Sequence, residues 1–184
     1  MITEIKTHLK ELEKEKNIKI LLAVESGSRA WGFPSPDSDY DVRIIYIHPI
    51  NYYLSIGERK DNIDYFHGEL LDINGWDIRK TLRLLSKSNV TPFEWNQSPM
   101  VYYTVTGFQE ELQALANDFF QPRHSLNHYK GIAFNSFKAL ENNNSIKLKK
   151  LFYVLRPLLA AHWIIQKESI PPMDIFGLMD ALDD

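Results

Sequence analysis

The sequence predicts an α+β fold, a small mixed β-sheet flanked by helices and followed by a helical C-terminal half. Two observations carry this. The short, β-favouring apolar runs all precede Asn74-Gly75, and beyond that point apolar residues recur at helical spacing. A charged amphipathic stretch stands before the first of those runs, so the sheet is entered from a helix.

Ile2, Ile5, Leu9 and Leu12 recur at steps of three and four, which predicts a first helix packed by that stripe and ended by the polar break Lys14 to Asn17. Ile18 to Val24 is a nearly continuous aliphatic run, the pattern of a strand buried on both faces, and it stops at Glu25-Ser26-Gly27-Ser28. Arg29 to Ser38 holds two prolines, a glycine and serines and predicts an ordered loop. Asp39 to Ile47 is a second strand, with bulk from Val42, Ile44, Ile45, Tyr46 and Ile47. Asn62 to Phe66 and Glu69 to Ile73 form a hairpin about His67-Gly68.

The pattern then turns helical at Trp76, through Ile78, Leu82, Leu84 and Leu85, with Asp77 at the positive end of the dipole. Thr91-Pro92-Phe93-Glu94 reads as a capping box with proline at the first helical position. Three more helices are marked by Phe108 to Phe119, Leu126 to Leu140 and Ile146 to Ile165, with linker-like segments at Ser86 to Val90 and Glu141 to Asn144. The domain boundary is set between residues 104 and 105, dividing an α/β core (1–104) from a helical part (105–184).

Composition narrows the function classes. At 184 residues, 44% hydrophobic and 24% charged, the chain has material for a real core. Without cysteine there is no disulfide, no thiolate metal site and no cysteine nucleophile, so a metal must be held by oxygen or imidazole. A net charge of -3 and a pI near 6.1 exclude a chain-wide basic footprint for nucleic acid. No apolar run is long enough to span a membrane and the N-terminus lacks a secretory pattern, so a cytoplasmic location is expected. The six histidines show no HxxxH or HxH spacing, and each is taken as surface or core.

Asp39 and Asp41 lie two apart on a predicted strand, so both side chains leave one face and are aimed at one point. Like charges so close repel, and a divalent cation is the usual reason to keep both ionised. Hard oxygen ligands favour magnesium or manganese over zinc. Alone, Asp-x-Asp is as readily a solvated strand end. The Gly27-Ser28 turn changes its meaning: a small residue, a hydroxyl and free backbone amides at the end of a buried strand let a triphosphate approach. An EF-hand is excluded, because Asp37, Asp39 and Asp41 are followed by Val42 where glycine is required and by His48 where glutamate is required. P-loop and dinucleotide-binding spacings are missing as well.

The block GSRAWGFPSPDSDYDV resembles the signature of the polymerase-beta nucleotidyltransferase superfamily: Gly-Ser, a spacer, then acid-hydrophobic-acid-hydrophobic. With GWDIRKTLRLL, TPFEW and LKKLFYVLRPLLAAHW it is similar to a group of predicted bacterial and phage nucleotidyltransferases that includes RNA-ligase-associated members of RNA-repair gene clusters. The likeness runs from about Ile18 to Trp163. Members of the group are longer, so the resemblance implies that a terminal helical part is missing or reduced here, which bears on acceptor binding more than on nucleotide binding.

The resemblance implies transfer of a nucleoside monophosphate from a nucleoside triphosphate, expected to be ATP, to a hydroxyl acceptor, with pyrophosphate released. It implies two Mg2+ (or Mn2+) ions about 4 Å apart, held by Asp39, Asp41 and a third carboxylate. Asp72 is the candidate for that third acid, with Asp64 the competitor and Glu69 and Asp77 weaker ones. Gly27, Ser28 and Arg29 would take the phosphates, unless Arg29 pairs with an acid of its own loop. Trp31 is either a base-stacking ring or a plug at the core edge. Lys149, Tyr153 and Arg156, spaced by four and three, share one side of the last long helix, either reaching the triphosphate or an RNA backbone or forming a solvated face. Leu148, Leu151, Phe152, Leu155 and Leu159 would then be its buried stripe, and Pro157 removes a donor inside it. The acceptor is open, RNA being one candidate. The rival functions are a catalytically silent nucleotide or RNA sensor, an antitoxin-like partner-binding module of the same fold, and a metal-dependent phosphohydrolase or glycosyltransferase.

Overall fold

A computed structural model describes residues 1–57, 59–68, 70–141 and 148–182. Glu69, most of the Glu141 to Asn144 linker and Ile146 lie outside the described residues. The elements in order are α1 (Ile2–Lys16), β1 (Lys19–Glu25), α2 (Gly27–Ala30), β2 (Tyr40–Ile47), α3 (Ile50–Tyr53), β3 (Asn62–His67) and β4 (Leu71–Asp77). They continue with α4 (Ile78–Leu85), α5 (Val90–Asn96), β5 (Val101–Thr104), α6 (Phe108–Phe119), α7 (Pro122–Glu141), α8 (Leu148–Lys167) and α9 (Ile175–Met179). The sheet is mixed, in the order β3-β4-β2-β1-β5, with β2 and β4 parallel and the other described pairs antiparallel.

The continuous aliphatic run of β1 is explained by burial on both faces. Beneath the sheet, Ile5, Leu9 and Leu12 of α1 pack on Ile20, Val42, Ile44 and Ile73. Above it, Leu22, Val24 and Ile45 pack with Leu85 of α4, Phe93 and Trp95 of α5, and Leu112 and Ala116 of α6. A third cluster joins Val90 to Tyr129 of α7, Ala160, Ala161 and Ile164 of α8, and Leu178 of α9. Phe120 touches the second and third clusters, so the sheet and the helical half share one interior. Among the described residues, no helix is long and apolar enough to cross a membrane.

Four elements depart from the sequence pattern. Trp76 and Asp77 end strand β4 rather than opening a helix, because Trp76 pairs in register with Ile45 and its ring lies 4.3 Å from that of Trp95. Asp77 instead caps α4, its carboxylate accepting from Arg79 N at 2.8 Å. The capping box at Thr91 is replaced by Asn89, whose side chain accepts from Thr91 N at 3.0 Å, while Glu94 is engaged elsewhere. Val101–Thr104 is an edge strand paired antiparallel to β1, where no strand is predicted.

The fourth departure is the orientation of α8. Leu148, Leu151 and Leu155 are exposed, whereas Val154, Arg156, Pro157, Ala160 and Ala161 are buried. Three of the five predicted stripe residues therefore face out, while Phe152 and Leu159 are half-buried against Phe33 and the third cluster, and the side read as a solvated basic face is turned inward at Arg156 and half-buried at Lys149 and Tyr153. A carboxylate on α5 and a serine in the loop before β2 receive its two cations, which makes that orientation compatible with burying charge.

Candidate active site

The strand register sets the centre of the site. β2 and β4 run parallel with Asp41 directly opposite Asp72, and the period of two puts Arg43 and Asn74 on the same face. Arg43 donates from Nη2 to Asp41 Oδ1 at 2.9 Å and lies 3.0 Å from Asp72 Oδ2. One guanidinium thus bridges two carboxylates that would otherwise repel. Asp64 faces Asn74 across β3 and β4, where Asn62 and Asn74 both donate to its carboxylate. Asp41, Asp64 and Asp72 line one cavity of about 560 Å³, so the third acid of the sequence reading and its competitor open onto the same space.

Asp39 is not on the strand, which begins at Tyr40, and its side chain is exposed at the end of the preceding loop. It still acts on the site: Tyr153 of α8 has its hydroxyl pKa raised by burial, then by Asp41 and Asp39. Arg29 is engaged with the main chain of its own loop. Its Nε and Nη2 donate to the backbone oxygens of Asp39 and Ser38 at 3.0 and 2.7 Å, and its guanidinium lies over the Tyr40 ring. It therefore fixes the backbone that delivers Asp39 and Asp41.

Gly27 has a left-handed φ of 58°. A Cβ there would overlap Asp41 Oδ2 and come within 2.9 Å of its Cγ. The glycine is required both by its backbone conformation and by close approach to the carboxylate. Ser28 is 3% exposed, and its hydroxyl donates to Ser38 Oγ at 3.0 Å. Lys149 Nζ donates to the same Ser38 oxygen at 3.2 Å, so α8 is tied to the Gly-Ser turn through one serine.

Beneath Asp41 lies a group that sequence reasoning missed. Glu25, fully buried, accepts from Asp41 N at 3.0 Å and from the Tyr102 hydroxyl at 2.6 Å. Burial pushes its carboxyl above the usual range, opposed by those hydrogen bonds.

The upper wall comes from the helices. Arg156, 4% exposed, is 3.0 Å from Glu94 Oε1, donates from Nε to Met173 O at 2.8 Å, and lies over the Trp31 ring at 4.6 Å. Its role as a solvated cation is thereby excluded. Trp31 packs edge-on to Tyr153 at 5.5 Å and lines the cavity. Among the described residues, Trp31 Nε1 is a buried donor without an acceptor, and Arg156 Nη2, though within ion-pairing distance of Glu94, makes no aligned hydrogen bond. Both belong to residues of the cavity lining.

The whole chain, residues 1–184, matches one family model. It belongs to the RNA repair pathway DNA polymerase beta family. The chain is 48% identical over 174 residues to the uncharacterized protein YcgL of Bacillus subtilis (strain 168), covering 95% of this chain and 67% of that protein. A crystal structure of a nucleotidyltransferase-like protein from Exiguobacterium sibiricum 255-15 aligns with 98% of this chain and 63% of its own, at a TM-score of 0.40 and 13% identity. The chain thus spans less than two thirds of that solved structure.

Within this family member, the cavity brings together Gly27, Asp41, Asp72 and Arg156 of the predicted set. Ser28 and Lys149 bond to the Ser38 hydroxyl, and Arg29 to the backbone oxygens of Ser38 and Asp39. Arg43 and Asn74 were open to detection, since each stands two residues after an expected acid on its strand; Glu25 and Glu94 carry no local signal.

Proposed function

We propose that the chain is a metal-dependent nucleotidyltransferase. It moves a nucleoside monophosphate from a nucleoside triphosphate, ATP in the first instance, to a hydroxyl acceptor, RNA being the class the family description favours. The acceptor oxygen forms a bond to the α-phosphorus, the α–β bridging P–O bond breaks, and pyrophosphate and the hydroxyl proton leave. The observation that carries this reading is Asp41 facing Asp72 in register, with the Cβ-less Gly27 backbone packed against Asp41.

The residues fit Mg2+ or Mn2+: the donors are hard carboxylate oxygens, and the space between Asp41 and Asp72 already accommodates a cationic group, that of Arg43. Bound there, the metal would supply charge for the attacking and leaving oxygens. Asp41 and Asp72 would hold it once the Arg43 guanidinium is displaced, with Asp39 at the loop edge as the further ligand. The amides after Gly27 and the Ser28 hydroxyl receive phosphate oxygens once Ser28 is released from Ser38. Arg156, Tyr153 and Trp31 form the wall beside the same ligand and exclude water from its side.

Arg43 also favours the silent sensor or partner-binding reading, because a guanidinium between the acids neutralises them without metal. The two readings are separated by offering α-labelled triphosphates with Mg2+ or Mn2+ to RNA, small-molecule and protein acceptor pools. Labelled acceptor that disappears with Asp41→Asn and Asp72→Asn supports the transferase. Nucleotide binding without label transfer or pyrophosphate release in any pool would overturn it.

A further inference from the structure

On the opposite side of the sheet from this site, the fold assembles a group of ligating side chains that no sequence spacing announces. Glu4 and His8 are one helical turn apart on α1, and His67 closes the edge strand β3. Each offers one ligand atom, and the three atoms lie within 4.8 Å of one another. The His8 and His67 ring centroids are 4.1 Å apart. Glu11, a turn further along the same helix, puts Oε2 3.2 Å from His8 Nδ1, and the Tyr65 hydroxyl stands 3.3 Å from that nitrogen.

From this geometry we infer that Glu4, His8 and His67 form a site for a borderline divalent cation of the zinc class, which clips α1 to the edge of the sheet. Two imidazoles and one carboxylate suit zinc better than magnesium, which prefers all-oxygen coordination. Ligand atoms around a tetrahedral zinc ion stand about 3.4 Å apart, given bonds of about 2.0–2.1 Å. Closing from 4.8 Å asks only side-chain adjustment, since Glu4 and His67 are exposed. Water completes the coordination, and Glu11 supplies the neighbouring carboxylate that orients a ligating imidazole. The His8 ring also packs on Tyr65, so it is already confined.

The consequence is mechanical. β3 is the edge strand, paired only to β4 among the described residues, and β4 carries Asp72. A metal joining β3 to α1 secures the strand next to the catalytic carboxylate without touching the cavity.

The test is titration of the full chain with Zn2+ in saturating Mg2+, which occupies the hard-oxygen site, followed by calorimetry and thermal melting. The expected result is one Zn2+ per chain, a higher melting temperature, and the same uptake by Asp41→Asn/Asp72→Asn. His67→Gln, at an exposed position where folding is not at stake, should weaken binding by more than about 100-fold, since losing even an orienting partner costs about 10–100-fold. Glu11→Gln should weaken it by about 10-fold. Failure of the parent to take up Zn2+ in Mg2+, or equal uptake by His67→Gln, would overturn the inference.

Discussion

Replacing Gly27 by alanine separates what the Gly-Ser turn does for the backbone from what it does for the carboxylate behind it. The φ of 58° costs an L-residue with a Cβ about 1–2 kcal/mol. The new methyl also overlaps Asp41 Oδ2, so Asp41 must leave its rotamer, at about 0.5–1.5 kcal/mol. Reduced freedom of the unfolded chain returns about 0.4–1 kcal/mol. The net loss is about 0.5–3 kcal/mol, and at about 2–4 °C per kcal/mol for a chain of this size the melting temperature falls by about 1–12 °C.

Gly107→Ala is the control, because Gly107 has φ 81° and a methyl group there would meet nothing within 4 Å. It should show the conformational loss alone and retain Mn2+-dependent nucleotide binding. Gly27→Ala should weaken that binding by more than about 10-fold, equivalent to ~1.4 kcal/mol, because Asp41 no longer faces Asp72. Calorimetry with ATP, with and without Mn2+, reads the difference. Equal nucleotide affinity in the two variants would refute the argument that Gly27 is glycine for the sake of Asp41.

Arg43→Gln should lower the melting temperature without metal, since Asp41 and Asp72 lose the charge between them, and should tighten Mn2+ binding by about 10-fold, equivalent to ~1.4 kcal/mol; Mn2+ titration of the two proteins checks it. Glu94→Gln strips the charge partner from a nearly buried Arg156, and by the usual cost of breaking a buried pair the stability loss in urea should approach about 3 kcal/mol. His128 accepts from Val90 N through Nδ1 at 3.4 Å, and burial lowers its pKa below the usual 6.5. The unfolded chain therefore binds the proton first as pH falls, so stability from this group is present above pH 6.5 and is lost as pH drops through its folded value. His128→Asn should flatten the melting profile in that part of the pH range, measured from neutral pH downward.

The fold was legible where one physical requirement dominates a segment. A double-sided aliphatic run has few places to go but a central strand, and α1 announced its buried stripe in Ile5, Leu9 and Leu12. Reading failed where a tertiary partner decides. Trp76 belongs to a helical pattern by sequence, yet Trp95 and the β2 register hold it in a strand. On α8, leucines are the natural choice for the inner face, but Glu94 and Ser38 draw Arg156 and Lys149 inward and turn the leucines out. The same holds for His8 and His67, which meet across α1 and β3.

The two parts of the site are consequently held by different kinds of contact. The floor, Gly27, Asp41 and Asp72, is set by strand register and by a turn immediately after β1, so it forms with the sheet. The upper wall depends on pairings distant in sequence: Lys149 with Ser38, 111 residues apart, and Arg156 with Glu94. The helical half is therefore part of the wall of the cavity. Loosening α8 should leave the carboxylates in place, with their hold on a divalent cation, while removing the wall that would pack against a triphosphate. Glu94→Gln, with both Mn2+ and ATP affinities measured on the folded variant, provides that dissection: metal affinity should stay near the parent's while ATP affinity falls, and parallel loss of both would mean that floor and wall form one inseparable unit.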